Sequence, residues 1–341
     1  MKTSLTSFFF FNIIIYDMIW ARKNIGGIMK VLLFTHEQDI DGMGNVILGS
    51  QAFSDFDYVT VKTFEVNQKV GARIKDGSIY DYDFVFVTDV CIKEPLLKQI
   101  SEDERLRDKI LVLDHHKSEI DEGNDKYDFV NIIIENDNGK TSGTSLFYEY
   151  LTSNGYLERN ETLDELVELT RQYDTWEWKT IYNNPKARKL HIIFEVLSYQ
   201  EYIKIVSRMV SESNGVTFND EEIKVIEDFD RKFREDIDTI ISGMKLYNLD
   251  VNGEKFKIGY VKCPYKYRND INEVVMQNNV YDVDLVGMIM TDMDTVSYRL
   301  VHDVDASKVA VYFGGKGHKA ASSNPQNNEK FANVLEMFKG E

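Results

Sequence analysis

The chain has 341 residues, of which 43% are hydrophobic and 12% are aromatic, and its formal net charge at pH 7 is −17. This composition is that of a folded protein and excludes a disordered one, and the length suits about two domains. The negative charge argues against tight binding of long nucleic acid, because that affinity comes mainly from Lys and Arg side chains that neutralise phosphates. A short anionic substrate remains compatible with this charge if metal ions supply positive charge.

Two cysteines, Cys91 and Cys263, fit no zinc-binding spacing and indicate a reduced, cytoplasmic protein without disulfides. Residues 1–28 contain the apolar run FFFFNIII, which is soon interrupted by Asp17. The run is shorter than the roughly 20 residues of a membrane helix, and no clear signal-peptide cleavage site follows it. Because Met29 directly precedes a strand-like run, we expect residues 1–28 to be an extension outside the fold, and we expect no membrane association.

In the first half of the chain, strand-like runs alternate with helical stretches, which predicts an α/β domain with a parallel sheet. The strand-like runs lie at 31–34, 57–64, 81–90, 111–113 and 128–134. Helical patterns follow Gly42 and Pro95, begin within 141–145 and occupy 162–173. Three of the strands lead into Asp or His, so one edge of the sheet is predicted to carry side chains of the kind that bind metals.

The second half of the chain changes character at a helical and highly charged stretch, 185–243, which is the predicted region of the domain boundary. Within it, 221–241 has the pattern of one long connecting helix. From 245 to 339, strand-like and helical segments alternate again, and this section includes the run FGGKGHKAASS. Its strand-like segments lie at 255–261, 284–290 and 295–301.

Acidic and histidine side chains collect near the ends of the predicted strands and helices, at His36, Asp39, Asp41, Asp89, Asp114, His115, His116 and Asp174. Carboxylates combined with imidazoles favour Mn(II), Fe(II), Co(II) or Zn(II) over a calcium site. Aspartates that converge without metal repel one another and are costly to bury. Two divalent ions would balance their charge, and a pair of ions about 3.5 to 4 Å apart is the usual apparatus for hydrolysing phosphate esters.

These motifs, in this order, resemble those of the DHH phosphoesterase superfamily, named for the tripeptide that stands here at 114–116. The run FGGKGHKAASS is similar to the FGGGGHxxAAG motif of the DHH-associated C-terminal domain, and Ser297 with Arg299 match the SxR strand of that domain. The resemblance spans residues 30–335, and YDTW at 173–176 is similar to the oligoribonuclease (nano-RNase) branch.

The resemblance implies an α/β protein with two domains. The N-terminal DHH domain would have a parallel-type sheet flanked by helices, and the smaller C-terminal α/β domain would have a mixed sheet. The implied parts are an extension at 1–28, the catalytic domain at 29–185, a helical connector at 186–244 and the substrate-binding DHH-associated domain at 245–341.

The resemblance also implies two divalent metal ions, with manganese as the expected metal. One ion would be held by His36, Asp39 and Asp89. The second ion would be held by Asp41, Asp89, His115 and Asp174, so that Asp89 bridges the two. The ions would assist in-line attack of water on phosphorus.

Asp89, Asp114 and His116 are the implied catalytic residues. Asp114 would fix the orientation of an imidazole, and His116 would face the scissile phosphate. Trp176 and Trp178 follow the YDTW aspartate closely and could stack bases, although aromatic residues at such a place more often pack the domain. Sequence alone favours the packing interpretation for both tryptophans.

The implied substrate-binding residues are Arg299, Gly314, Gly315, Gly317 and His318. The glycines would let backbone N–H groups approach a phosphate, and the two cationic side chains would add charge-assisted contacts. Lys316 stands where the family has a further glycine, and it either blocks a close backbone approach or supplies another cation. The first ligand loop reads His-x-x-Asp-x-Asp from His36, one residue away from the family spacing.

The implied function is that of a metal-dependent phosphodiesterase that degrades short oligonucleotides to nucleoside 5′-monophosphates. The implied partners are short oligonucleotides or dinucleotides, without long duplex nucleic acid or membrane, and a homodimer stays open. Alternatives are a phosphodiesterase acting on cyclic or linear dinucleotides and a phosphatase of adenosine 3′,5′-bisphosphate. A nucleotide-binding regulator without turnover is disfavoured because no acidic ligand is missing. A polyphosphate or pyrophosphate hydrolase does not account for the glycine–histidine motif.

Overall fold

The computed structural model describes residues 28–278 and 281–339. The predicted extension at 1–28 therefore lies outside the described residues, except for Ile28. The described chain divides into two compact units, one ending at Ile226 and the other beginning at Glu227. This boundary falls inside one long helix, Asp220–Ser242.

The first unit is built on a five-stranded sheet in which all neighbouring strands are parallel. Its strands are β1 (Lys30–His36), β2 (Asp55–Val61), β3 (Phe84–Thr88), β4 (Ile110–Asp114) and β5 (Val130–Ile132). The residues of β3 and β4 are all buried, which is why these strands are continuous apolar runs in the sequence. The predicted parallel sheet of the N-terminal domain is confirmed.

Helices connect these strands and cover the sheet. They are α1 (Ile40–Ala52), α2 (Val66–Asp76), α3 (Leu96–Glu102), α4 (Glu104–Arg107), α5 (Lys117–Asp121), α6 (Gly143–Ser153), α7 (Glu161–Asp174), α8 (Glu177–Thr180), α9 (Pro185–Val196) and α10 (Tyr199–Glu212). A small hairpin, β6 (Glu135–Asn136) and β7 (Gly139–Lys140), precedes α6. One apolar cluster joins Val85 of β3 to Val70 of α2 and Leu97 of α3. Each such buried side chain contributes about 1.5–3 kcal/mol relative to exposure.

The strand order β2-β1-β3-β4-β5 creates a topological switch point between β1 and β3. The chain passes from β1 to β2 on one side and then crosses to β3 on the other side of β1. In open α/β sheets, ligands bind outside the carboxyl ends of the strands at such a point. His36 ends β1, and Asp89 follows β3 directly, so both residues stand at this place.

The connection from β1 to α1 is shorter than the sequence suggests. β1 continues through His36, and α1 begins at Ile40, so Asp41 and Gly42 lie in the first turn of the helix instead of in a loop. Asp39 caps this helix, because its Oδ1 accepts a hydrogen bond from the backbone N–H of Gly42 at 3.0 Å. A side chain at Gly42 would collide with the carbonyl of His36, so the tight connection requires glycine there.

The second unit contains a six-stranded mixed sheet, which confirms the predicted C-terminal α/β domain. Its strands are β8 (Lys245–Val251), β9 (Glu254–Cys263), β10 (Leu285–Met290), β11 (Thr295–Leu300), β12 (Lys316–His318) and β13 (Ala321–Pro325), and they lie in the order β12-β13-β11-β10-β9-β8. β9 and β10 are parallel, whereas the other neighbours are antiparallel. The helices are α11 (Asp220–Ser242), which the unit shares with the first, α12 (Arg268–Asn278), α13 (Ala306–Tyr312) and α14 (Ala332–Glu336).

Two apolar clusters cover the two faces of this second sheet. Tyr260 of β9 belongs to one cluster and the next residue, Val261, to the other, as expected for successive residues of a strand. The sequence did not predict β8, β12 or β13. Short 3₁₀ turns occupy Thr63–Glu65, Ser78–Asp81, Asn124–Lys126, Tyr265–Tyr267 and Glu329–Phe331. In the part of the chain that is described, no helix combines the length and the apolar character needed to cross a bilayer.

Candidate metal centre

Acidic and histidine side chains from distant parts of the first unit gather at the switch point of its sheet. The structure brings together every metal-ligand and catalytic residue that the sequence predicts in this unit, namely His36, Asp39, Asp41, Asp89, Asp114, His115, His116 and Asp174. They come from the ends of β1, β3 and β4, from the start of α1 and from the end of α7. These side chains therefore form one continuous cluster at the carboxyl edge of the sheet.

The first ligand group consists of His36, Asp39 and Asp89, whose ligand atoms lie within 4.8 Å of one another. His36 Nδ1 is 2.7 Å from Asp39 Oδ2 and 3.9 Å from Asp89 Oδ2. Burial opposes protonation of His36, but the hydrogen bond and charge of Asp39 outweigh it and raise the pKa of the imidazole. The unusual His-x-x-Asp spacing is compatible with this group, because Asp39 turns back to cap α1.

The second ligand group consists of Asp41, His115 and Asp174. His115 Nε2 lies 3.6 Å from Asp174 Oδ2 and 3.7 Å from Asp41 Oδ2. The same nitrogen is 3.3 Å from Asp89 Oδ1. Asp89 therefore presents Oδ1 to this group and Oδ2 to the first group, which is the geometry that a bridging carboxylate needs.

Asp41 is held in place by the start of helix α6. Its buried carboxylate accepts hydrogen bonds from the backbone N–H groups of Gly143, at 2.6 Å, and Thr144, at 2.9 Å. These N–H groups have no partner inside the helix, and the positive end of the helix dipole favours a negative charge there. The sequence did not predict this contact, because the Ser/Thr-rich run at 141–145 signals only a helix start.

Asp89 has a left-handed backbone conformation, with φ of 60°. For a residue other than glycine, this costs about 1–2 kcal/mol. Its backbone N–H donates to the carbonyl of Leu113 at 3.0 Å, which ties the strained residue to β4. Strain of this kind concentrates at functional sites, where the surrounding structure holds it.

Asp114 orients the ring of His116. Asp114 Oδ1 accepts a hydrogen bond from the backbone N–H of His115 at 2.7 Å, and it lies 2.7 Å from His116 Nδ1. The hydrogen bond between the side chains of Asp114 and His116, together with the charge of Asp114, raises the pKa of His116 to about 9. The His116 side chain is 51% exposed, whereas that of Asp114 is 1% exposed. The histidine therefore faces the open side of the cluster.

The electrostatics of the cluster fit divalent cations. Burial raises the pKa of Asp89 well above its usual value, and the charges of Asp41, Asp39 and Asp174 raise it further. Burial and the charges of Asp41 and Asp39 act in the same way on Asp174. Asp89 Oδ2 and Asp114 Oδ2 are buried without a hydrogen-bond partner among the described residues. Carboxylate oxygens together with the neighbouring imidazoles are donors that suit Mn(II) or a similar ion.

Behind the cluster, Cys91, Asp114 and Glu119 form a further buried group. Burial raises the pKa of the Cys91 thiol, and the charges of Asp114 and Glu119 add to this. Burial therefore favours the neutral thiol of Cys91 as long as no metal is bound. Glu119, which the sequence did not single out, accepts hydrogen bonds from Lys93 Nζ at 2.5 Å and Asn124 Nδ2 at 2.8 Å.

The second unit carries a cavity of about 610 Å³. Arg299, Gly317 and His318, which the sequence predicts to bind substrate, line this cavity, whereas Gly314 and Gly315 do not. Tyr265 and Arg268, which the sequence did not single out, also line it. Neither belongs to a recognisable motif, and they precede Arg299 by about 30 residues, so only the folded chain brings them together.

The glycines at 314, 315 and 317 have internal structural reasons to be glycine. Gly314 has φ of 80°, and a Cβ there would lie 2.6 Å from Asn328 Nδ2. A Cβ at Gly315 would collide with the carbonyl of Ser323, and a Cβ at Gly317 would collide with Ser322. Close pairing of β12 with β13 therefore accounts for the last two, and contact of these glycines with a phosphate stays a prediction.

A parallel α/β sheet with two adjoining aspartate–histidine groups at its switch point defines a class of proteins that depend on divalent metal ions. Residues 30–171 match the DHH family, N-terminal domain. Among curated proteins, oligoribonuclease NrnB of Bacillus subtilis (strain 168) is 29% identical over 315 residues, which is 91% of this chain and 75% of the relative.

Solved structures share the fold. Exonuclease RecJ bound to manganese has a TM-score of 0.51 at 10% identity, over 91% of this chain and 89% of that one. The pGpG-specific phosphodiesterase PggH of Vibrio cholerae has a TM-score of 0.50 at 12% identity, over 90% of this chain and 96% of that one. At these identities, the two likenesses establish the fold alone.

Proposed function

We propose that the chain is a phosphodiesterase that degrades short oligonucleotides to nucleoside 5′-monophosphates, with two divalent ions and manganese as the expected metal. The carboxylate of Asp89, which offers one oxygen to each ligand group, is the observation that carries this proposal. The match of residues 30–171 to the DHH family and the similarity of the chain to an oligoribonuclease support it. The acidic net charge suits a short substrate, which needs a few local contacts and no long basic surface.

Each of the two ligand groups would hold one ion, and Asp89 would contribute to both. One ion would be held by His36, Asp39 and Asp89. The other would be held by Asp41, Asp89, His115 and Asp174. When bound, such ions supply Lewis-acid stabilisation of the phosphate oxygens and lower the pKa of water. Helix α6 preorganises the site of the second ion, because its first backbone N–H groups fix the carboxylate of Asp41.

Asp114 and His116 would act on the substrate without holding an ion. Because Asp114 engages Nδ1 of His116, Nε2 is the nitrogen that can donate a hydrogen bond to a phosphate oxygen. The buried carboxylate keeps the ring in one orientation and stabilises its positive charge. In the second unit, Arg299 and His318 would bind the nucleotide from the cavity that they line.

A length series tests this proposal. The purified full chain is incubated with Mn²⁺ and labelled RNA oligomers from dinucleotides to decamers, and the products are separated by chromatography. We expect nucleoside 5′-monophosphates, fastest consumption of the shortest oligomers, and loss of activity when EDTA removes the metal. Hydrolysis confined to cyclic or linear dinucleotides, or to adenosine 3′,5′-bisphosphate, would replace the proposal with that alternative. Turnover of pyrophosphate or polyphosphate alone would contradict it.

A further inference from the structure

The two tryptophans that follow Asp174 have different surroundings. Trp178 is only 9% exposed, and its ring stacks with that of Tyr173 at an angle of 17° between the ring planes. Tyr173 also stacks with His191 at 17°, so these three rings pack together. Trp176 stays partly exposed. The packing role that the sequence favours for both tryptophans therefore explains Trp178 but does not account for Trp176.

The ring of Trp176 meets the neighbouring rings at steep angles. Its plane is inclined by 76° to that of Trp178 and by 60° to that of Tyr173, with centroids 5.7 and 6.4 Å apart. Among the described residues, no aromatic ring lies parallel to it in a stack. Lys179 Nζ is 5.7 Å from its centroid, near the outer limit of about 6 Å for a cation–π contact. A planar ligand can therefore stack on Trp176 without displacing another stacked ring.

The turn that carries Trp176 is held firmly in an unfavourable conformation. Its φ of 64° lies in the left-handed region, which residues other than glycine rarely adopt. The next residue, Glu177, is buried and accepts a hydrogen bond from Arg171 Nη1 at 2.6 Å. The preceding residue, Thr175, donates its hydroxyl to the carbonyl of Arg171 at 2.8 Å. Both neighbours of Trp176 are thus tied to α7, and backbone strain that is held in this way indicates a functional position.

The position of this turn is beside the candidate metal centre. Asp174, the last residue of α7, places its Oδ2 3.6 Å from His115 Nε2 in the second ligand group. Consecutive Cα atoms are about 3.8 Å apart, so the Cα of Trp176 is at most about 8 Å from that of Asp174. A base is joined to its phosphate through the ribose. A phosphate at the second ligand group therefore brings its own base into the neighbourhood of Trp176.

We propose that Trp176 stacks on a nucleobase next to the scissile phosphate. The inference rests on the proposed function, because the scissile phosphate must lie at the ions beside Asp174. Stacking on an aromatic side chain is tolerant of sequence, since every base has a flat π-face, and modest preferences follow the strength of stacking. Trp176 is then a specificity-determining residue that selects nucleotides over phosphate compounds without a base, with a modest preference for the larger purine rings.

Three substitutions separate stacking from the conformation of the turn. Trp176→Asn removes the ring, and asparagine tolerates a positive φ better than most residues do. Trp176→Phe keeps a ring that can stack. Tyr58→Asn is the control, because it removes a ring that is 45% exposed from β2, outside the metal centre. Initial rates of the full chain with Mn²⁺ are measured on ApA and on UpU.

We expect Trp176→Asn to lower kcat/KM for ApA roughly tenfold, which corresponds to about 1.4 kcal/mol, and to lower it less for UpU. Trp176→Phe should recover most of the rate on ApA, and Tyr58→Asn should behave as the wild type on both substrates. Unchanged rates in Trp176→Asn would overturn the inference. Equal losses on both substrates would overturn it as well, because they indicate a general effect on the turn or on Asp174.

A fluorescent base tests the stacking independently of hydrolysis. The fluorescence of 2-aminopurine falls when this base stacks on an aromatic ring. A dinucleotide of 2-aminopurine and adenine is titrated with the full chain in EDTA, and we expect quenching by the wild type and by Trp176→Phe but much less by Trp176→Asn. Equal quenching by the wild type and Trp176→Asn would overturn the inference. If the wild type cleaves neither ApA nor UpU with Mn²⁺, the proposed function fails, while this titration still gives the answer for Trp176.

Discussion

Gly143 and Asp89 are in direct contact at the metal centre, because a Cβ on Gly143 would lie 2.5 Å from Asp89 Cβ and 2.9 Å from its Cα. The same residue, Gly143, donates its backbone N–H to Asp41 at 2.6 Å. One glycine at the start of α6 thus contacts both Asp41, in the first turn of α1, and Asp89, which follows β3. The cluster depends on this close approach of the helix to the sheet.

Gly143→Ala should therefore disturb the centre. The added methyl group would push against the backbone of Asp89, and we expect the free energy of unfolding to fall by about 1–3 kcal/mol and kcat/KM to fall on the order of 100-fold. Urea denaturation and initial rates measure these effects. Gly71→Ala is the matched control: its Cβ would meet nothing closer than 3.8 Å, and alanine in the interior of α2 should stabilise the protein by about 0.5–1 kcal/mol. A fully active Gly143→Ala variant would contradict the prediction.

Asp89→Asn should impair both ion sites at once. The amide keeps the shape of the side chain but loses the charge that both ligand groups share, so isothermal titration should show weaker Mn²⁺ binding at both sites. The melting temperature of the wild type should rise with Mn²⁺, since a ligand at 100 times its Kd stabilises by about 2.7 kcal/mol. The variant should not show this rise. Asp121→Asn, an exposed acid in α5 outside the cluster, should bind Mn²⁺ as the wild type does.

Position 176 tests the turn that follows Asp174. Trp176 has φ of 64°, a conformation that glycine adopts freely and that a β-branched residue strongly resists. Trp176→Gly and Trp176→Val both remove the ring and its contacts with Tyr173 and Trp178. We expect the valine variant to be less stable than the glycine variant by about 1–2 kcal/mol, measured by urea denaturation. Equal stability of the two variants would show that the turn relaxes away from this conformation.

His191 should make stability depend on pH. Burial lowers the pKa of its imidazole from 6.5 to about 4, although the charge of Asp39 acts in the opposite direction. Below pH 6.5 the unfolded chain takes up a proton at this residue before the folded chain does, so stability falls as the pH drops from 6.5 toward 4.

His191→Phe keeps a ring against Tyr173, whose centroid lies 4.2 Å from that of the histidine, but removes the titration. Between pH 7.5 and pH 5, the variant should therefore lose about 2 kcal/mol less stability than the wild type. Urea denaturation at both pH values measures the difference. The same loss in both proteins would show that His191 does not titrate in this range.

The positions of the strands of the first sheet along the chain, and the acidic residues at their ends, could be predicted because both leave local signals. Strands that are buried on both faces, such as β3 and β4, are short apolar runs. The polar side chains that follow these strands stand out, because the local secondary structure does not require them. The strands β12 and β13 could not be predicted, since their residues, which include Gly317 and Ser322, give no apolar pattern. Their pairing depends on contacts with β11.

The sequence by itself determined the α/β class, the parallel sheet and the residue types of the candidate centre. The reason is that the hydrophobic pattern and the residue types at the strand ends depend only on residues that are close together in the sequence. Only the tertiary structure decided that Gly143 and Thr144 hold the carboxylate of Asp41, about one hundred residues away. Only the tertiary structure placed Arg268 and Arg299 in the lining of the same cavity. Such relations depend on helix packing and strand pairing between distant segments, and the free energy of these contacts exists only when the whole chain has folded.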